Sequence, residues 1–325
     1  MSEVAELAGV SRMTVSRSLN EPEKVKDELR ERVLSAVREL GYVQNHLARS
    51  FSSQRSNVIG LVLPNLGNSI FAQTVKGVSD YLRPRGAHLM LSEAAHNIED
   101  EERAVGAFLA QRVGGLILHS REHSPATLRM LETTNIPVVE MGDLCEHPVD
   151  MVVGFSNFEA ARTMTLHLAQ RGFRSIAIAT MNKNPVVGER QRGYLAAMAE
   201  LGMDPAGRII TVSRGVGGGA DAVAHLAEHL PETDALFCAS DVSAVGALLE
   251  CARRFWPVPE RLAIASFNDL EVLRYMTPAA TCLRIPRYEI GQRSAELLMA
   301  RMQGDDEAAG TQIDVGFELL HRATS

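Results

Sequence analysis

A chain of 325 residues is about twice the ~150 of an average domain, so it holds two or three globular units and not a single small one. With 46% hydrophobic and 22% charged residues it has the composition of a folded, water-soluble protein, and its longest apolar runs, such as Val58–Leu63, fall far short of the ~20 residues that cross a bilayer. The formal charge of −7 repels nucleic acid as a whole-molecule average and leaves the question to where the basic residues lie.

From Val4 to about Leu40 the periodicity is purely helical, with Leu29, Val33, Val37 and Leu40 spaced to share one helix face. Gln44–Ser56 is polar and rich in Ser, Arg and Gln, either a solvated linker or a helix that folds only when something binds it. Beyond Arg55, apolar β-type runs alternate with amphipathic helical runs, the pattern of βαβ units on parallel sheets. The strands are expected at Val58–Leu63, Ala87–Ser92, Gly115–Leu118, Pro137–Met141, Met151–Phe155, Ser175–Ala179, Arg208–Val212, Ala235–Ala239 and Leu262–Ser266. Nine strands suit two sheets better than one. The helices between them are expected at Ile70–Arg85, Ile98–Gln111, Pro125–Thr134, Phe158–Gln170, Glu189–Leu201, Ala220–His229, Ser243–Arg254 and Tyr288–Gln303, with the glycine run Gly215–Gly219 as a flexible connection. Cys145, Cys238, Cys251 and Cys282 are scattered, without a Cys-x-x-Cys pair, and suggest reduced thiols, with neither a disulfide framework nor a metal site. Met1-Ser2-Glu3 does not open a signal peptide, so a cytoplasmic location is expected.

The segment Val4–Asn20, VAELAGVSRMTVSRSLN, reads as a helix, a tight turn at Gly9 and a second helix capped by Ser11. Val4, Ala8, Val10, Val15 and Leu19 supply the contacts, leaving Arg12, Met13, Ser16, Arg17 and Asn20 on the open face of the second helix. A helix of this diameter fits the DNA major groove, and Arg17 is the best candidate to read a guanine. Ser11, Thr14, Lys24, Lys26 and the first-turn amides can hold phosphates, which sets position and salt dependence but not sequence. The alternative is the plain solvated face of a small bundle. Residues 1–55 carry nine Lys or Arg against eight Asp or Glu, an asymmetry with the acidic remainder that is right in sign and small.

The run AGVSRMTVSRSLN, followed by VLSAVRELGYVQN and LARSFSSQRSNVIGLVLP, resembles the amino-terminal signature of the LacI/GalR family of transcriptional repressors, and the likeness extends along the whole chain. It implies a small all-α helix-turn-helix head over residues 1–44, a hinge over 45–56, and a two-lobed α/β core over 57–325 of the type I periplasmic-binding-protein kind, with two parallel sheets flanked by helices. Lobe one would take about 57–155 and 285–306, and lobe two about 156–284 and 307–325. A homodimer would read double-stranded operator DNA of pseudo-palindromic sequence, its hinges helical on DNA. Phe51 matches the leucine that the family wedges into the minor groove, with Ala48 on the same face and Asn45 at the hinge start; Phe51 could instead pack against the partner hinge. Gln44 stands where a proline is usual, and the chain begins inside the first helix without the usual Thr-type cap. After the last expected strand (IDVGFELLHR) no heptad-bearing tail follows, so dimers are expected to stay unpaired.

By the same resemblance a small effector lies between the lobes, beyond the carboxyl ends of the strands. Asn65, Ser69 and Phe71 match cleft-lining positions, Phe71 being equally suited to the core. Arg190 matches the arginine the family aims at its effector, suited to a bidentate grip. Ser240, Asp241, Asn268 and Asp269 follow strands where further polar contacts fall. Many relatives that bind neutral sugars carry aspartate where this chain has Ser156 and Asn268, while His119, Arg121 and His123 follow a strand toward the cleft mouth. For each histidine a structural hydrogen bond is the competing role. Fewer carboxylates and more cations favour an anionic ligand, because an unpaired buried charge is costly. HSREHSPATLRMLE, IPVVEMGD and VVGFSNFEAARTM resemble the gluconate-operon repressors of this family, implying gluconate or a phosphorylated or keto relative as effector, with no cofactor. No GxSxG, GxxxxGK[ST] or GxGxxG motif supports an enzyme. A transport-type sugar-binding protein would share the core, but would need an export signal and leave the head without a purpose.

Overall fold

In the computed structural model the helical and α/β patterns separate into two units, residues 1–56 and 57–325. The structure describes residues 1–42, 56–95, 97–181 and 185–325, with the side chains of residues 20 and 185–187 left aside. Asn45, Ala48 and Phe51 of the expected hinge lie outside the described residues.

In the first unit α1 (Ser2–Leu7) and α2 (Arg12–Asn20) are joined by a turn in which Gly9 adopts φ +61°, and α3 (Asp27–Glu39) packs across both. Val4, Ala5, Ala8, Val15, Val33 and Ala36 form the small core. Arg32 of α3 donates to the Ala8 carbonyl at 2.6 Å, tying α3 to the turn. Leu40 departs from the expected face: α3 stops at Glu39, and Leu40, as its cap residue, is exposed.

The second unit contains two six-stranded sheets. The first has the order β11-β5-β4-β3-β1-β2, formed by β1 (Val58–Leu63), β2 (His88–Glu93), β3 (Gly115–Leu118), β4 (Val138–Asp143), β5 (Met151–Phe155) and β11 (Gln312–Asp314). The second has the order β12-β10-β9-β8-β6-β7, formed by β6 (Ile176–Met181), β7 (Ile209–Val212), β8 (Ala235–Cys238), β9 (Ala263–Phe267), β10 (Thr281–Arg284) and β12 (Glu318–Leu320). All pairings are parallel except β10 with β12. Strands β3, β4, β5 and β8 are buried throughout, as strands covered by helices on both faces must be. The lobe built on the first sheet carries α4 (Ile70–Leu82), α5 (Ile98–Ala110), α6 (Pro125–Thr134) and α12 (Arg287–Met302); the other carries α7 (Asn157–Gln170), α8 (Pro185–Glu200), α9 (Val216–His229), α10 (Asp241–Arg253) and α11 (Glu271–Tyr275).

The chain passes between lobes three times: from β5 into α7, from β10 into α12, and from β11 to β12. The last passage falls after Asp314, not near residue 307, because Gln312–Asp314 adds to the first sheet beside β5. The expected final strand is therefore two strands, one in each sheet.

Gly217–Gly219 forms the first turns of α9, not a flexible connection. A Cβ at Gly219 would collide with the Ser243 carbonyl, and one at Gly246 with the Val216 carbonyl, so these glycines let α9 and α10 touch backbone to backbone. Gly77 and Gly291 serve α4 and α12 in the same manner, and Gly193 does so where α8 meets α7. Close packing overrides the low helix propensity of glycine at these crossings.

Candidate functional site

Between the lobes lies a cavity of about 550 Å³. Its wall is built beyond the carboxyl ends of the strands: Asn65, Ser69 and Phe71 after β1, His119 and Arg121 after β3, Ser240 and Asp241 after β8, and Asn268 after β9. In each sheet the strand order reverses beside the first strand of its lobe, β1 or β6, and the crevice at such a switch is where open α/β sheets expose ends free to bind.

Arg190, on α8, reaches the cavity floor with only 8% of its surface exposed. Its Nε donates to Asn157 Oδ1 at 2.8 Å, its Nη1 donates to the Ala239 carbonyl at 2.6 Å, and the guanidinium lies 3.6 Å from the centre of the Phe267 ring. Burial, aided by the charge of Arg287, pushes its pKa down to about 9, which leaves it a cation at neutral pH. Asn157 in turn donates through its backbone N–H and its Nδ2 to Asp143 Oδ1, at 3.1 and 2.8 Å. Burial raises the pKa of Asp143 against these hydrogen bonds.

Arg287, the first residue of α12, also lines the cavity, and sequence reasoning missed it. Its Nη2 donates to Asn268 Oδ1 at 2.7 Å, while its buried Nε has no hydrogen-bond partner among the described residues. Burial pushes its pKa down to about 10, with Asp241 opposing the shift. Asn268 itself holds a left-handed φ of +67°, a conformation asparagine tolerates better than most residues. Asp241 is 1% exposed; one carboxylate oxygen accepts from the Val242 N–H at 2.8 Å and the other has no hydrogen-bond partner among the described residues. Burial raises its pKa. Phe71 meets His119 edge-on at 4.9 Å, and both line the cavity, Phe71 also belonging to the core.

Three expected contacts are placed differently. Arg121 borders the cavity but spans Asp143 Oδ2 at 3.2 Å and Glu189 Oε1 at 2.6 Å, so its charge is matched by protein carboxylates from both lobes. His123 is not in the wall. Its ring is 2% exposed, with Nδ1 2.5 Å from Glu101 and Nε2 3.2 Å from Glu140. Burial alone would lower its pKa, but the two carboxylates outweigh it and raise it to about 9. Ser156 caps α7, accepting from the Glu159 N–H at 3.1 Å, and its neighbour Asn157 faces the cavity instead. Ser156 itself is not in the cavity wall. The positive character of the cavity comes from Arg190 and Arg287, with the exposed Arg214 at the rim. Asp269 turns away to Arg322, Arg274 and Arg284.

In the head, Arg12, Met13 and Arg17 are exposed on α2, Met13 to 66%, and Ser16 is half-buried. Asn20 closes the helix. Ser11 caps α2, its Oγ accepting from the Thr14 N–H at 3.1 Å and lying 2.9 Å from the Thr14 hydroxyl. Lys24 is exposed and pairs with Glu21 at 3.0 Å, and Lys26 is exposed just before α3. The face that α2 leaves open carries donors and two cations, Arg12 and Arg17, with no carboxylate along Arg12–Asn20.

Among the described residues no group of three or more His, Cys, Asp or Glu side chains could hold a metal; His225 and His229, one turn apart on α9, stack at 4.5 Å without a third ligand. No helix among them is long and apolar enough to cross a membrane.

Residues 1–45 match the model of bacterial regulatory proteins of the lacI family, and residues 165–325 match that of a periplasmic binding protein-like domain. The chain is 36% identical over 321 residues to the HTH-type transcriptional regulator GntR of Escherichia coli K12, covering 98% of this chain and 96% of that one. A solved LacI-family transcriptional regulator from Silicibacter pomeroyi superposes with a TM-score of 0.92 at 29% identity, over 99% of this chain and 98% of that one. The lac repressor dimer bound to operator and the anti-inducer ONPF superposes with a TM-score of 0.85 at 26% identity, over 99% and 97%. With a matching head, a matching two-lobed core and full-length relatives, this chain belongs to the LacI family of DNA-binding transcriptional regulators, which are not enzymes.

Proposed function

We propose that this regulator is a cytoplasmic repressor of sugar-acid catabolism genes. As a homodimer it binds a palindromic operator through α2 and is released by a sugar acid, gluconate or a phosphorylated or keto relative. The observation that carries the ligand class is the pair of guanidinium groups at the cavity, buried Arg190 and half-buried Arg287, whereas Arg121 is matched by Asp143 and Glu189 and Arg214 is exposed at the rim. Asp241 and Asp143 offset part of that charge, and holding the two cations together at the cavity is less costly once a ligand brings negative charge. The polar residues around them suit the hydroxyls of a polyol. Operator and acid then compete through the core, and each must weaken the other by the same factor. The effector is the only small molecule this function requires, and no cofactor takes part.

Calorimetric titration with gluconate, 6-phosphogluconate and 2-ketogluconate, with glucose as the neutral control, tests the reading. Binding of an acid but not of glucose, followed by release of operator DNA at the same concentrations, supports it. If glucose binds and every acid fails, the ligand assignment is wrong while the DNA-binding function stands on the head.

A further inference from the structure

The two cavity arginines differ in how fully the protein uses them. Arg190 is spoken for at two nitrogens and along its face, by Asn157, Ala239 and Phe267. Among the described residues Arg287 has one hydrogen bond, to Asn268, and its enclosed Nε has no acceptor. The half-buried Arg287 borders the cavity, and its single protein acceptor leaves guanidinium donors for an acceptor that arrives from outside. The two groups also come from opposite lobes. Arg190 rides on α8, whereas Arg287 begins α12, which packs against α4 and the first sheet.

We propose that Arg287 is the specificity-determining residue for the acid group: the ligand carboxylate lies between Arg287 and Arg190 and bridges the lobes, while the Asp241 oxygen without a partner takes a ligand hydroxyl. The assignment rests on the sugar-acid reading above and adds which residue distinguishes an acid from a neutral polyol. A planar carboxylate offers two oxygens, enough to accept from both guanidinium groups at once. Its negative charge offsets the repulsion between the two cations. Asp241 cannot serve a second carboxylate, because like charges at close range repel, but it is placed to accept from a hydroxyl on the same ligand. A neutral sugar can accept from the arginine donors through a hydroxyl, but it brings no charge to set against the two cations.

The test uses the full chain and its Arg287→Gln and Arg287→Lys variants, titrated with gluconate and assayed for operator binding without and with gluconate. Arg287→Gln should unfold cooperatively in thermal denaturation, which establishes that it folds, and its operator binding without acid sets the baseline from which release is measured. Its gluconate affinity should fall by about 10- to 100-fold, the range for a charge-assisted hydrogen bond, and the gluconate concentration for operator release should rise equally. Arg287→Lys, keeping the charge, should recover part of the loss. Parental gluconate affinity in Arg287→Gln would overturn the assignment and leave the sugar-acid reading intact. Equal losses in Gln and Lys variants would also overturn it, since a role in shaping the cavity alone explains them. A parent protein that binds glucose and no acid would overturn both.

Discussion

His123 offers a test of the core that involves neither ligand nor DNA. Its imidazole, 2% exposed, is held between Glu101 and Glu140, side chains 5% and 2% exposed, so little solvent screens the interaction. Raising its pKa from an ordinary 6.5 to about 9 corresponds to roughly 3 kcal/mol of folding free energy. The folded state favours the protonated ring. The stabilisation is therefore complete below about pH 6.5, fades as the pH rises toward 9, and is reduced by roughly half near pH 8. Denaturant unfolding of the parent and of His123→Gln between pH 6.5 and 9 reads this directly. The parent should lose stability across that window by roughly 2 to 3 kcal/mol more than the variant, which has no imidazole to titrate. The variant should also be weaker at pH 6.5, because two buried carboxylates lose their cation. Parallel pH profiles for the two proteins would refute the buried triad.

Arg17→Ala should cost about 1 to 3 kcal/mol of specific operator affinity in a fluorescence anisotropy titration and leave gluconate affinity unchanged. Arg190→Met should do the reverse: gluconate binding falls by roughly 2 to 5 kcal/mol in calorimetry, since it also strips donors from Asn157 and Ala239, while operator binding persists and is no longer released. Gly246→Ala should destabilise the core by about 1 to 3 kcal/mol in thermal unfolding, because its methyl group would strike the Val216 carbonyl across α9 and α10. An unchanged Tm would mean that these helices can move apart freely.

The parallel strands were legible because burial on both faces writes a continuous apolar run: Val58–Leu63, Gly115–Leu118 and Met151–Phe155 have the expected bounds. Thr281–Arg284 carries polar residues and is too short to stand out from a loop, and Gln312–Asp314 and Glu318–Leu320 lie so close together in sequence that they read as one final strand. Gly217–Gly219 misled because local propensity speaks for a loop, while the contact that favours glycine there comes from Ser243, far along the chain. His123 belongs to Glu101 and Glu140, 22 and 17 residues away, a pairing no local pattern announces. Ser156 could have been read correctly: Ser-x-x-Glu over Ser156–Glu159 is the sequence of a helix start, which turns the serine toward the backbone and leaves the next residue free. Arg287 escaped because the strand before it was itself missed, and with it the strand end that would have placed Arg287 at the cavity.

The glycine crossings have a mechanical consequence. Helices seated backbone on backbone leave no side chains between them to yield, so α4 with α12, α7 with α8, and α9 with α10 stiffen their lobes against internal shear. Compliance is then confined to the three strands of chain that join the lobes. Two of these begin their helices with residues of the cavity wall, Asn157 and Arg287, and the third holds Gly316 at φ +65°. A small molecule bound in the cavity would therefore grip the soft joints themselves, and a modest pull there would be delivered as rotation of two inflexible bodies instead of being absorbed within either one.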